Sequence, residues 1–137
     1  MMTRKDNSIA EKSMSSAVRI VGLFRYLAEK KRERVISKQV LRSGTSIGAN
    51  VREANSAQSK ADFIAKMSIA LKECDETGYW LELLSRTGFL SQEEYHSIES
   101  DCREGRRALY AATRWLFPIK ERLHDTSIDS DDVCHYH

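Results

Sequence analysis

The chain has 137 residues and a mass of 15.7 kDa, a size that predicts one domain with a buried core. Hydrophobic residues make up 41% of it and charged residues 31%, with one proline, which excludes collagen-like, proline-rich and most disordered chains. The net charge is +2, but residues 125–137 contain four Asp and no Lys or Arg, so the preceding body holds 22 basic against 16 acidic residues. This body charge of +6 favours an anionic partner.

Two regions of helical periodicity come first in the chain. The spacing of apolar residues in steps of three and four predicts one helix from Ser8 to Arg32 and a second from Ile36 to Ala57. Gly44 and Gly48 lie inside the second helix, where each glycine costs about 1 kcal/mol relative to alanine. We expect close packing against another helix to offset that cost.

The third predicted helix runs from Asp62 to Arg86. Ser59 precedes it as a plausible N-cap, with Asp62 at the third helical position, and Gly88 follows it as a C-terminal stop. Cys74, in the middle of this helix, falls in its apolar pattern and is predicted to be a small core residue.

The fourth predicted helix opens at Ser91, with Glu94 in the capping-box position, and ends near Phe117 or within a turn after it. Its Cys102 is also assigned to the core. Short links between long helices make antiparallel neighbours. The sequence therefore predicts an all-α, up-down-up-down four-helix bundle over residues 1–124, followed by an acidic, disordered tail over residues 125–137.

Neither a membrane segment nor a secretion signal is evident in the sequence. No stretch approaches the roughly 18 consecutive apolar residues of a membrane helix, and the first eight residues lack the apolar region of a signal peptide. We therefore expect a cytoplasmic protein without a membrane partner. Three cysteines, an odd number, argue against a disulfide framework.

No motif for catalysis or metal binding stands out. The four histidines form no H-x-x-x-H pair, and the ending Cys134-His135-Tyr136-His137 lacks the fourth ligand of a zinc site. There is no nucleophile elbow and no phosphate-binding glycine loop. The glutamates of the third helix are interpreted as a solvated or ion-paired face. We expect no enzymatic activity, no metal, no cofactor and no small-molecule substrate.

A row of polar residues lies on the second predicted helix. Steps of four, four and three place on one face Arg42, Ser46, Asn50 and Glu53. Buried charged and amide groups must be paired. The favoured interpretation is a structural polar network that fixes helix register or a subunit contact, and the alternative is a binding site for a polar ligand or RNA.

Basic residues form two sets. One set surrounds the first helix–helix link and comprises Lys30, Lys31, Arg32, Arg34 and Lys38. The other lies on the fourth helix and comprises Arg103, Arg106, Arg107 and Arg114. Such residues are candidates for phosphate contacts, which set affinity without reading sequence. The alternative is a solvated face with intrahelical pairs such as Glu99 with Arg103.

Three large side chains in succession indicate a surface for another subunit. Tyr79, Trp80 and Leu81 are consecutive, so they cannot all face the same core, and at least one must point outward. An exposed aromatic beside a core face is typical of a subunit interface.

The residues of the second helix resemble a known family. The segment from Arg42 to Glu53, RSGTSIGANVRE, resembles the R-x-x-x-S-I-x-x-N-[IV]-x-E signature of the 23S rRNA intervening-sequence protein family. The third helix is also similar to that family's at Asp62, Phe63, Ile69, Ala70, Leu71, Glu73, Glu76 and Leu81. The resemblance covers roughly residues 17–116.

The resemblance implies a small four-helix bundle, and several members assemble as homopentamers with a central channel. Some members are encoded in insertions within bacterial 23S rRNA genes. A related branch serves diversity-generating retroelements as a basic accessory protein that binds the reverse transcriptase and nucleic acid. By analogy, the two basic sets are the candidates for phosphate contact, and the signature positions are structural.

Two hypotheses of function follow. The first is a non-enzymatic homo-oligomeric adaptor that binds RNA or a nucleoprotein through its basic faces. The second is a structural or protein-binding oligomer, such as a reverse-transcriptase accessory scaffold, without direct nucleic-acid binding.

Overall fold

The computed structural model describes residues 4–114, with side chains from residue 8 onward. Over these residues the chain is all helical and has no strand, as predicted, and its helices are α1 (Arg4–Glu29), α2 (Ile36–Asn55), α3 (Lys60–Arg86) and α4 (Gln92–Thr113). Helices α1 and α3 each pack mainly on α2 and α4. None of the four has the length and apolar character that crossing a bilayer demands. The predicted helix end near Phe117 and the acidic tail at residues 125–137 lie outside the described residues.

The helix boundaries differ most from the predicted ones at the two ends of α1. Helix α1 begins at Arg4 rather than Ser8 and ends at Glu29, three residues before the predicted end at Arg32. The backbone of Arg32 has a φ of 57°, in the left-handed region, which a right-handed helix cannot accommodate. The prediction failed here because lysine and arginine favour helix, so nothing in their composition marks the stop.

Serine caps begin α3 and α4, as the sequence predicts. Ser59 Oγ accepts a hydrogen bond from the Asp62 backbone N–H at 3.0 Å. Ser91 Oγ accepts one from the Glu94 N–H at 3.1 Å, and Glu94 Oε1 accepts one from the Ser91 N–H at 2.8 Å. The second pair forms a complete capping box, so two N–H groups that a helix start leaves unpaired are satisfied.

Gly88 ends α3 by turning the backbone into the left-handed region. Its φ is 84°, the Phe89 N–H donates to the Leu84 carbonyl at 2.9 Å, and the Gly88 N–H donates to the Ser85 carbonyl at 3.2 Å. These two bonds define a Schellman motif, which satisfies carbonyls at the helix end. The predicted stop at Gly88 is confirmed.

Replacing Gly88 with alanine is expected to lower the free energy of unfolding by about 1 kcal/mol, because a Cβ disfavours the left-handed backbone. A Cβ there would meet no other atom within 4 Å, so the cost is conformational. Urea unfolding measures it, and Gly88→Asn is the control, since asparagine tolerates this conformation better. A Gly88→Ala variant as stable as the parent would contradict the assignment.

The core divides into two hydrophobic clusters along the bundle. One contains Ile9, Met67 and Leu109, and the other contains Leu27 and Leu90. The second cluster therefore brings the end of α1 and the start of α4 to the same end of the bundle.

The two core cysteines differ in burial but share a raised thiol pKa. Cys74 is buried, as predicted, and Cys102 is half-buried. Burial raises the pKa of both thiols to about 12. Both therefore remain protonated at neutral pH, and a thiol is a poor nucleophile in that form.

Gly44 lies where α2 makes its close approach to α1. A Cβ added at Gly44 would stand 2.8 Å from Ile20 Cγ2, whereas one at Gly48 would have Ser13 Oγ as its nearest neighbour, at 3.4 Å. The expected close helix packing is thus found at Gly44, while Gly48 has room for a methyl group. Next to Gly44, Thr77 Oγ1 of α3 donates to Ser43 Oγ at 2.9 Å in the fully buried core.

Candidate functional site

The link between α1 and α2 is a short, strongly basic surface. All five cations around this link, which we call the link set, are exposed: Lys30, Lys31, Arg32, Arg34 and Lys38. In the described part of the chain, none of the five has a carboxylate within salt-bridge distance. Lys31 Nζ lies 5.8 Å from the centre of the Tyr26 ring, within the range of a cation–π contact. These side chains are open to an anionic ligand.

Glu33, the one acidic residue of this link, points inward. It is buried, and its carboxylate accepts hydrogen bonds from the backbone N–H groups of Val35, Ile36 and Ser37 at 3.2, 2.9 and 2.7 Å. Burial acts to raise the pKa of Glu33, but the hydrogen bonds from Ile36, Ser37 and Val35 outweigh it and leave the pKa below its ordinary value. The carboxylate is therefore held ionised beneath the cations.

The sequence analysis did not identify this role of Glu33. Val35 precedes α2 at the N-cap position and makes no side-chain cap. The first N–H groups of a helix must find an acceptor, so the absence of Ser, Thr, Asp or Asn before Ile36 was the available signal.

Two of the four arginines in the second basic set are already paired with carboxylates. Arg103 Nη2 lies 2.7 Å from Glu99 Oε1 on the same helix, and Arg106 Nε lies 2.6 Å from Asp75 Oδ1 on α3. Arg107 and Arg114 are exposed and have no salt bridge among the described residues. Half of this set is therefore neutralised in place.

The link set and Arg114 lie at opposite ends of the bundle. The link set lies at the end of the bundle where α4 begins, since Leu27 and Leu90 share a cluster. Arg114 follows the other end of α4, about 30 Å away at 1.5 Å per residue. Among the described residues, the link set is the denser basic surface.

The polar row of α2 faces α3. Arg42 Nη1 lies 3.4 Å from Glu73 Oε2, and Arg42 also pairs with Glu76, whose Oε2 accepts a hydrogen bond from Trp80 Nε1 at 2.9 Å. Glu53 Oε1 lies 3.0 Å from Lys66 Nζ. Both ends of the row are thus joined to the third helix.

Within the row itself, the side chains bond to the backbone rather than to one another. Ser46 Oγ donates to the Arg42 carbonyl at 2.7 Å, and Asn50 Nδ2 donates to the Ser46 carbonyl at 2.8 Å. Arg42 and Glu53 are exposed, although the sequence analysis expected buried groups. Exposed ion pairs contribute about 0–1 kcal/mol each, so the ion pairs at the two ends of the row add little to stability.

Large apolar side chains are exposed on two helices. The exposed fractions are 59% for Tyr79 and 41% for Ile69 on α3, and 50% for Met14 and 65% for Val18 on α1. Leu81 is fully buried. The prediction that one residue of the Tyr79–Leu81 run points outward is confirmed.

Nothing in the described part of the chain resembles a metal centre, since no three His, Cys, Asp or Glu side chains lie close enough to hold an ion. The ending Cys134-His135-Tyr136-His137 lies outside the described residues.

Comparison with known proteins identifies the family. The model of the 23S rRNA-intervening sequence protein family matches residues 5–111. The chain belongs to this family. A crystal structure of a protein of unknown function from the S23 ribosomal protein family of Bacteroides thetaiotaomicron VPI-5482 is 55% identical, with a TM-score of 0.79, over 80% of this chain and 98% of that one. A comparison with curated proteins gave no match.

The region that matches the family model includes the basic link, the polar row and the exposed faces of α1 and α3. Arg114 is the one candidate residue beyond it. The family resemblance read from Arg42 to Glu53 is thereby confirmed.

Proposed function

We propose that this member of the family is a non-enzymatic, cytoplasmic homo-oligomer that binds RNA, free or in a nucleoprotein, through the link set of cations. One observation carries the proposal. Five exposed cations occupy a nine-residue stretch, none of them within salt-bridge distance of a carboxylate among the described residues, while the acidic residue among them is turned inward. Such a surface suits phosphate, and its contacts are independent of base sequence.

Contacts between helices support the up-down-up-down arrangement that we propose for the subunit. On α1 and α2, Ile20 lies by Gly44 and Ser13 by Gly48. As the residue number increases along α2, the facing residue number on α1 decreases, so these contacts favour antiparallel helices. The same holds for α2 and α3, where Ser43 binds Thr77 and Glu53 pairs with Lys66. Resemblance to other members of the family favours five subunits.

RNA binding is tested by fluorescence anisotropy with a labelled single-stranded RNA of mixed sequence and about 20 nucleotides, titrated at several salt concentrations. We expect the logarithm of affinity to fall linearly with the logarithm of salt concentration, by about 0.7 for each phosphate contact. The double reversal Lys30→Glu, Arg34→Glu should weaken binding about tenfold or more and reduce the salt slope.

The matched control is Arg52→Glu, Lys60→Glu, which changes the net charge equally at the α2–α3 link. It should cost less than about threefold if position rather than net charge determines binding. No binding at low salt, or binding that is independent of salt, would exclude the nucleic-acid part of the proposal.

The exposed Tyr79, Ile69, Met14 and Val18 favour a second candidate, a structural or protein-binding oligomer without nucleic acid. Native mass spectrometry of protein purified without nuclease separates the two. An oligomer that carries RNA supports the first candidate, and an oligomer free of RNA supports the second. A monomer contradicts the homo-oligomer in both.

A further inference from the structure

Helices α1 and α3 expose apolar faces, whereas α4 exposes a polar one. Met14 and Val18 are at least half exposed on α1, and Ile69 and Tyr79 are exposed on α3. Among the exposed positions of α4, the one apolar residue is Ala111. Since α1 and α3 each pack mainly on α2 and α4, the two apolar faces belong to different sides of the bundle.

Corresponding residues of these two faces lie at the same position along the bundle axis. Gly44 of α2 lies against Ile20 of α1, and the neighbouring Ser43 binds Thr77 of α3, so Ile20 and Thr77 lie at about the same level. Two residues further along each helix come Gly22 and Tyr79. Because α1 and α3 run in the same direction in the proposed topology, these two residues are also level.

The shapes at this level are complementary. Gly22 is exposed, and a Cβ there would meet no atom within 4 Å, so the surface of α1 has a gap at this point. The Tyr79 ring is 59% exposed and projects from α3. An aromatic ring over a glycine allows two helices to approach closely.

The charges that follow are also complementary. Arg25 and Glu29 stand three and seven residues after Gly22, and both are exposed. At the same spacing after Tyr79 come Glu82 and Arg86, which are 2.8 Å apart. Along α1 the positive charge comes first and the negative second, and along α3 the order is reversed.

We propose that α3 of one subunit packs on α1 of the next, with Tyr79 over Gly22 and with Glu82 and Arg86 opposite Arg25 and Glu29. The inference rests on the homo-oligomer of the proposed function and names its interface. The contact joins different faces of two identical chains, so it is heterologous and closes into a ring when the rotation per subunit permits. A symmetric dimer through either face would leave the other apolar face exposed. It would also place each face against a copy of itself rather than against the complementary face.

Disulfide cross-linking tests the pairing. In a Cys134→Ser background, the double variant Gly22→Cys, Tyr79→Cys should give a ladder of covalent dimers, trimers and larger species after mild oxidation, since a disulfide requires Cβ atoms about 4 Å apart. Cys74 is buried and Cys102 half-buried, and the Cys134→Ser parent, which should stay uncross-linked, is the control for both. Each single variant should remain uncross-linked. Dimers from a single variant, or no ladder from the double variant, would overturn the inference.

A second variant tests the interface without cross-linking. Gly22→Arg should raise the concentration needed for half-assembly by about tenfold or more, while its circular dichroism stays that of a folded helical protein, because the position is open. Ala111→Arg, on the polar face of α4, is the matched control and should assemble like the parent. An oligomeric parent with an equally oligomeric Gly22→Arg variant contradicts this interface alone, whereas a monomeric parent contradicts the homo-oligomer of the proposed function.

Discussion

Gly44→Ala is expected to lower the free energy of unfolding by about 2 kcal/mol, because overpacking a full core displaces its neighbours. The added Cβ would stand 2.8 and 2.9 Å from two carbons of Ile20. Ile20 is 1% exposed and β-branched, so its side chain has few alternative rotamers. Urea unfolding at one protein concentration measures the loss, since oligomerisation makes stability depend on concentration.

Gly48→Ala is the matched control, with the same chemical change one helical turn away. Its nearest neighbour is Ser13 Oγ at 3.4 Å, so the gain in helix propensity should prevail and leave the variant as stable as the parent or about 1 kcal/mol more stable. The cost of Gly44→Ala should also shrink in an Ile20→Ala background, because the two changes share one contact. Equal stabilities for the two alanine variants would refute the close approach at Gly44.

Glu33→Ala is expected to cost about 2 kcal/mol of stability, because it removes three charge-assisted hydrogen bonds at the start of α2. Hydrogen exchange should increase at Ile36 and Ser37, whose N–H groups donate to the carboxylate. Glu11→Ala is the control at an exposed position of α1, where the change should stay within about 0.5 kcal/mol. Glu33→Gln should fall between the two, since an amide oxygen still accepts hydrogen bonds.

The effect of Glu33→Ala should depend on pH. The pKa of Glu33 is lower in the folded protein than the ordinary 4.5, so its contribution to stability is fully present above that value and is lost as the pH falls through the folded pKa. The stability difference between parent and variant should therefore be constant near neutral pH and narrow below pH 4.5. A difference that is unchanged on acidification would exclude an ionised Glu33 as the cap.

Sequence predicts best the features whose physical cause is local. Ser91 and Glu94 predict the start of α4 from sequence alone, because both partners of the capping box lie within four residues. The end of α1 is different. Lys30 and Lys31 favour helix, and the stop depends on the left-handed backbone of Arg32 and on the inward turn of Glu33, which no propensity reveals.

The same distinction applies to the candidate site. The pairing of Arg103 with Glu99, four residues apart, follows from helix geometry and is foreseen as an alternative. The pairing of Arg106 with Asp75 joins residues 31 positions apart and requires the packing of α4 on α3. Periodicity correctly places the polar row on one face of α2. How far that face is buried depends on the packing of α3, and Arg42 is exposed.

The carboxylate of Glu33 makes the cationic link a pre-organised surface. A flexible loop that becomes ordered on binding loses about 1–2 kcal/mol of backbone entropy per residue. Here the three hydrogen bonds to Glu33 already fix the chain where it enters α2, so a polyanion would restrict mainly the rotamers of Lys and Arg side chains. A residue whose charge alone would repel phosphate would thus lower the entropic cost of the proposed binding.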